Sequence, residues 1–120
     1  MRYLDIAGIA AVVLLANVTQ AGVQKAPPDM NRMVKLCLAN QEELADAACR
    51  AFVSGVVETS RLYATTGQMP AAFCPPADGP PGDPVAVYRA YLSKNMALKH
   101  FPAAALAVSA FKEAYPCPQR

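Results

Sequence analysis

The sequence predicts an all-α fold: a small, disulfide-bonded, four-helix bundle-like domain behind an N-terminal signal peptide. Three observations carry this. Apolar residues recur at helical spacing, and no segment alternates as a half-buried strand does. Prolines, glycines and capping side chains punctuate the chain where helices should start and stop. Four cysteines, an even number, occur in a chain of 120 residues that opens on an apolar leader.

That leader is "IAGIAAVVLLANV", preceded by the weakly positive start that Arg2 supplies and Asp5 partly offsets. It ends in "VTQAG", where the small Ala21 stands at a peptidase-type position, so Met1 to Ala21 reads as a signal peptide. A retained membrane anchor is the competing reading, although the run is short of the ~20 apolar residues a span needs. Its removal takes away one base and one acid, leaving the net charge at +2. Near-neutral charge without a Lys/Arg cluster argues against a nucleic-acid partner.

Residues 22–28 read as a flexible leader and 29–120 as one helical domain. About 100 residues bury roughly two-thirds of their unfolded surface, a marginal core that covalent bridges would help. After an export signal, Cys37, Cys49, Cys74 and Cys117 read as two disulfides. Their spacings are too wide for a zinc site, and neither metal nor cofactor is expected.

Asp29 can cap a first helix with Met30, Met33, Val34, Cys37 and Leu38 on one side, closed by Asn40. Asn40 with Glu43 then forms a capping-box pattern that opens a long second helix, about Glu42 to Thr65. Leu44, Ala48, Phe52, Val53, Val56, Val57 and Tyr63 give it an inner face, with Glu42, Asp46, Arg50, Glu58 and Arg61 mostly in solvent. Gly55 interrupts this helix at a cost of about 1 kcal/mol relative to alanine. The expected compensation is close approach of a neighbouring helix; a tolerated weak spot is the alternative.

Gly67 and Pro70 end that helix, and the breaker "FCPPADGPPGDP" follows. Asp83 as cap and Pro84 at the first helical position start a third helix, running to about Asn95 with Val85, Tyr88, Tyr91 and Leu92 inward. Pro102 opens a fourth, whose stripe is Ala103, Leu106, Ala107, Ala110, Phe111 and Ala114, and Pro116 ends it. A membrane-surface role for this alanine-rich helix competes with core packing, but only Lys112 supplies a cation to its polar side.

Four thiols allow three pairings. Short connections favour antiparallel neighbours, so the last three helices should run up, down and up. Cys49, near the start of the second helix, then lies more than about 25 Å from Cys74 beyond its end, at a rise of ~1.5 Å per residue. A disulfide needs α-carbons within about 7 Å. The helical hairpin brings Cys37 to Cys49, and the same path brings Cys74 to Cys117.

Chemistry is sparse. There is one histidine, His100, and no nucleophile elbow, P-loop or dinucleotide fingerprint, so the chain does not read as an enzyme.

The succession "CRAFVSGVVE" (Cys49 to Glu58), "FCPP" (Phe73 to Pro76), "VAVYRAYL" (Val85 to Leu92) and "FPAAALAVSAFKEAYPCP" (Phe101 to Pro118) resembles the Rap/Tai immunity-protein family over about 80 residues. It carries over residue by residue to Cys49, Gly55, Cys74, Pro76 and Cys117, all scaffold positions. It departs between Cys74 and Val85, where "PPADGPPGDP" replaces the family's usual turn. The resemblance implies an all-helical periplasmic protein, often a homodimer, that neutralises a type VI secretion effector. That effector would be a peptidoglycan amidase, inhibited by blocking its active-site cleft. The crossover (Asp78 to Asp83) and the turn Asn95 to His100 are the protruding loops, making Asp78, Asp83, Lys99 and His100 candidate partner-binding residues. Other readings of the same scaffold are a stress or acid-activated holdase chaperone and a subunit of an envelope complex.

Overall fold

The computed structural model describes residues 27–38, 42–76 and 82–119, and its elements are helices α1 (Met30–Cys37), α2 (Glu43–Thr65), α3 (Pro84–Lys94) and α4 (Ala103–Ala114), with a 3-10 turn at Met96–Leu98. Among the described residues there is no strand, only an isolated bridge between Asp29 and Pro102. The leader Met1 to Ala21, the Asn40 cap and Asp78 lie outside the described residues.

Local chemistry sets the helix boundaries. The Asp29 carboxylate accepts from the Arg32 amide at 2.9 Å and starts α1. The second helix begins at Glu43 with Glu42 as its cap residue, which makes no side-chain capping bond. At its other end the hydroxyls of Thr65 and Thr66 donate back to helix carbonyls, and Gly67 takes φ +72°, turning the chain away. Asp83 caps α3 by accepting from the Val85 amide at 3.0 Å, with Pro84 at the first helical position. The start of α4 has no side-chain cap; instead the Ala103 amide donates to the Pro28 carbonyl at 3.1 Å. Reciprocally, the Met30 amide donates to the Phe101 carbonyl at 3.1 Å, so the beginnings of α1 and α4 satisfy each other's free amides.

The core gathers around Phe111, whose ring centre lies 5.1 Å from Phe73, 6.4 Å from Tyr88 and 6.1 Å from Tyr115. Met30, Met33, Val53, Leu92 and Ala107 close around these rings, all buried. Each large apolar side chain contributes about 1.5–3 kcal/mol by leaving water. The Tyr88 hydroxyl, fully buried, donates to the Ala103 carbonyl at 3.3 Å and ties α3 to the start of α4.

Both disulfides join the partners that the topology required, Cys37 with Cys49 and Cys74 with Cys117, at Cα separations of 5.2 and 4.9 Å. Loop-closure entropy assigns about 3 kcal/mol to the shorter loop and about 4 to the longer.

Several side chains on α2 depart from the expected inner face. Its covered stripe is Cys49, Val53 and Val57, whereas Leu44, at 84 % exposure, Ala48 and Tyr63 are exposed. Leu44 lies about 140° round the helix from Cys49, and Tyr63 about 120° from Val57, outside the arc that neighbouring helices cover. Leu38 is likewise exposed, because α1 ends at Cys37. The expected close approach at Gly55 does not occur: a Cβ built there meets nothing within 4 Å.

The third helix starts part-way along α2 rather than at its far end. Arg50 lies 3.6 Å from the Asp83 carboxylate, and Arg89 pairs with Asp46, so the two helices run antiparallel alongside the first half of α2. Residues 66–76 therefore travel back along the second half of α2, and the stretch 68–76 forms a strap over it.

Candidate partner interface

The turn between α3 and α4 is stiff at its base and open at its tip. Asn95 caps α3, its side-chain amide donating to the Tyr91 carbonyl at 2.8 Å. Leu98 donates to the Asn95 carbonyl and Phe101 to the Leu98 carbonyl, both at 2.9 Å, winding the 3-10 turn. Leu98 packs half-buried against the core, while the Phe101 carbonyl is held by Met30. What remains outward is Met96, Lys99, His100 and Phe101, all exposed, with Lys94 just before them. The tip thus combines two large apolar side chains with cationic and titratable groups.

Asp83 lies at the opposite end of α3. Its carboxylate caps that helix and faces Arg50, although the side chain remains 55 % exposed. The structure therefore brings Lys99 and His100 together and leaves Asp83 apart from them.

Asp83 belongs to a surface charge cluster with Asp46, Arg50 and Arg89. Asp46 accepts from Arg50 at 2.7 Å and from Arg89 as well, and these bonds hold its carboxyl below the usual range. The same contact with Asp46 raises Arg50. Two acids and two bases neutralise each other here, fixing α2 against α3.

A second concavity was not legible in the sequence. Phe52, Gly55, Val56 and Tyr63 on α2 face Ala104 and Val108 on α4, with Met69 of the strap closing one side of a groove of about 590 Å³. The available signal was the width of the α2 apolar arc. Cys49, Val53 and Val57 form one stripe, and Phe52, Val56 and Tyr63 a second beside it, more than one neighbouring helix can cover. Among the described residues no cluster of three or more His, Cys, Asp or Glu residues could hold a metal. No helix among them is long and apolar enough to cross a membrane.

A stapled helical scaffold with a stiff, chemically mixed tip has the architecture of a small protein-binding module. Residues 29–117 match the model of the Rap1a immunity proteins, and the chain belongs to that family. No curated protein and no solved structure matches it.

Proposed function

We propose that this chain is an exported, periplasmic immunity protein that binds and inhibits a type VI secretion effector, a peptidoglycan amidase, by blocking its active-site cleft. The observation that carries the reading is the Rap1a immunity match across the whole helical domain. The α3–α4 turn supports the blocking mode. A cleft is filled by a convex element, and this turn presents Met96, Lys99, His100 and Phe101 on a base held by backbone bonds at both ends. A preorganised tip loses little conformational freedom on docking, which favours tight binding without any chemistry of its own. Asp78 and Asp83, on the crossover, complete the proposed set of contact residues. The signal peptide Met1 to Ala21 delivers the protein to the compartment where the effector acts, and the working form is a homodimer.

The test pairs the purified mature protein with cell-wall amidases encoded beside its gene or by sibling strains. Binding by calorimetry and inhibition of peptidoglycan digestion are expected. Lys99→Glu with Phe101→Ala should weaken both at least tenfold with an unchanged melting temperature. Absence of binding to every such amidase refutes the function; unchanged inhibition by the variant refutes the assignment to this turn. Light scattering of the free protein decides the dimer.

A further inference from the structure

The two disulfides occupy opposite environments. Cys37 and Cys49 are 6 % and 0 % exposed, sealed between α1 and α2. Cys74 and Cys117 are only half-buried, and both residues line a concavity of about 770 Å³ shaped also by Ala64, Gly67, Met69 and Pro118. The first bond is sealed from solvent, whereas the second lies beside open space.

What the accessible bond holds is equally particular. In the strap 68–76, backbone bonding is confined to the ends. Gln68 and Met69 donate to the Tyr63 carbonyl at 3.0 and 3.3 Å, and Cys74 donates to the Tyr115 carbonyl at 2.8 Å. Between them, Phe73 inserts into the core, and the Cys117 sulfur lies 3.7 Å from the Ala71 carbonyl oxygen. Tyr115, held beside Cys117, also donates its hydroxyl to the Gly82 carbonyl, so one residue pins both sides of the crossover. Met69, Pro70 and Ala72 of the same strap wall the apolar groove.

We propose that Cys74–Cys117 is a thiol-exchange site, opened reversibly by a dithiol reductant to release the strap and widen the groove, while Cys37–Cys49 stays closed and preserves the bundle. A thiolate of the dithiol attacks one sulfur of the pair, forming a mixed disulfide as the Cys74–Cys117 bond breaks. The displaced half-cystine leaves as a thiolate and takes up a proton. The second thiol of the reductant then attacks the mixed disulfide, freeing the other cysteine and closing its own disulfide. The protein gains two electrons and two protons; the dithiol is oxidised by the same amount.

The experiment uses the oxidised mature protein and dithiothreitol without denaturant, quenched at intervals with N-ethylmaleimide and read by peptide mass spectrometry. Cys74 and Cys117 should be alkylated at least tenfold faster than Cys37 and Cys49. The half-reduced protein should keep its helical circular dichroism while the Cys74 amide, which donates to the Tyr115 carbonyl, exchanges at least tenfold faster. Simultaneous labelling of all four cysteines, or earlier labelling of the buried pair, overturns the proposal. Unchanged exchange in the strap after opening overturns its release. A Cys74→Ser, Cys117→Ser variant gives the permanently open state, and should that variant fail to fold, the bond is required by the bundle and the proposal fails.

Discussion

Gly55 offers the sharpest test of the packing described above. It sits in the interior of a 23-residue helix, and a Cβ built there meets nothing within 4 Å. Its φ is not in the positive range, so alanine would adopt the same backbone without strain. Gly55→Ala should therefore gain the helix-propensity difference, about 0.8–1 kcal/mol, because the unfolded chain loses freedom and the folded state loses no contact. With an unfolding entropy near 2.1 cal/mol/K per residue over a domain of roughly 90 residues, that gain raises the melting temperature by about 4–5 °C. Thermal unfolding followed by far-UV circular dichroism at constant pH measures it. A melting temperature that falls, or does not move, refutes the open surroundings assigned to this glycine. The new methyl also enters the apolar groove, so comparing partner binding before and after the change separates a groove that partners use from one they ignore.

Phe111→Ala should cost about 3–5 kcal/mol in urea unfolding, since the ring is fully buried among Phe73, Tyr88 and Tyr115. Burial raises the ionisation of Tyr88 well above the ordinary tyrosine value, and Tyr115 is raised too, by burial and by the Asp83 charge. Both contributions are fully present below the unfolded tyrosine value, near pH 10, and are lost as pH rises above it. Spectrophotometric titration should show Tyr88 ionising only with unfolding, and Tyr88→Phe should flatten the alkaline limb. The lowered Asp46 has the opposite sign: its stabilisation is present above the ordinary carboxylate range and disappears as pH falls below it. Asp46→Asn should therefore reduce the slope of stability against pH between about 5 and 2, measured by guanidinium midpoints.

The boundaries of the helices were legible because they are local. Asp29, Asp83, Pro84, Gly67 and Pro102 act on amides and torsions within a turn of themselves, so their identity and spacing are enough. The stripe on α4 was legible for a related reason: Ala103, Leu106, Ala107, Ala110 and Phe111 form a single narrow face with only one way to turn. The stripe on α2 was not, because its apolar arc is wider than its cover. Which part is covered depends on where α3 lies, and that position, marked by Arg50 beside Asp83 and Arg89 beside Asp46, rests on packing between residues far apart in the chain. The same placement exposes Tyr63 and opens the groove beside Gly55.

By itself, then, the sequence determined the helical class, the element limits and, through the hairpin geometry, the pairing of the cysteines. Only the tertiary structure decided which half-cystines water can reach, which α2 residues face the core, and that Lys99 and His100 share a tip from which Asp83 is remote. The physical reason is range. Capping and periodicity are short-range forces written in neighbouring residues, whereas exposure is a property of what the rest of the chain happens to cover.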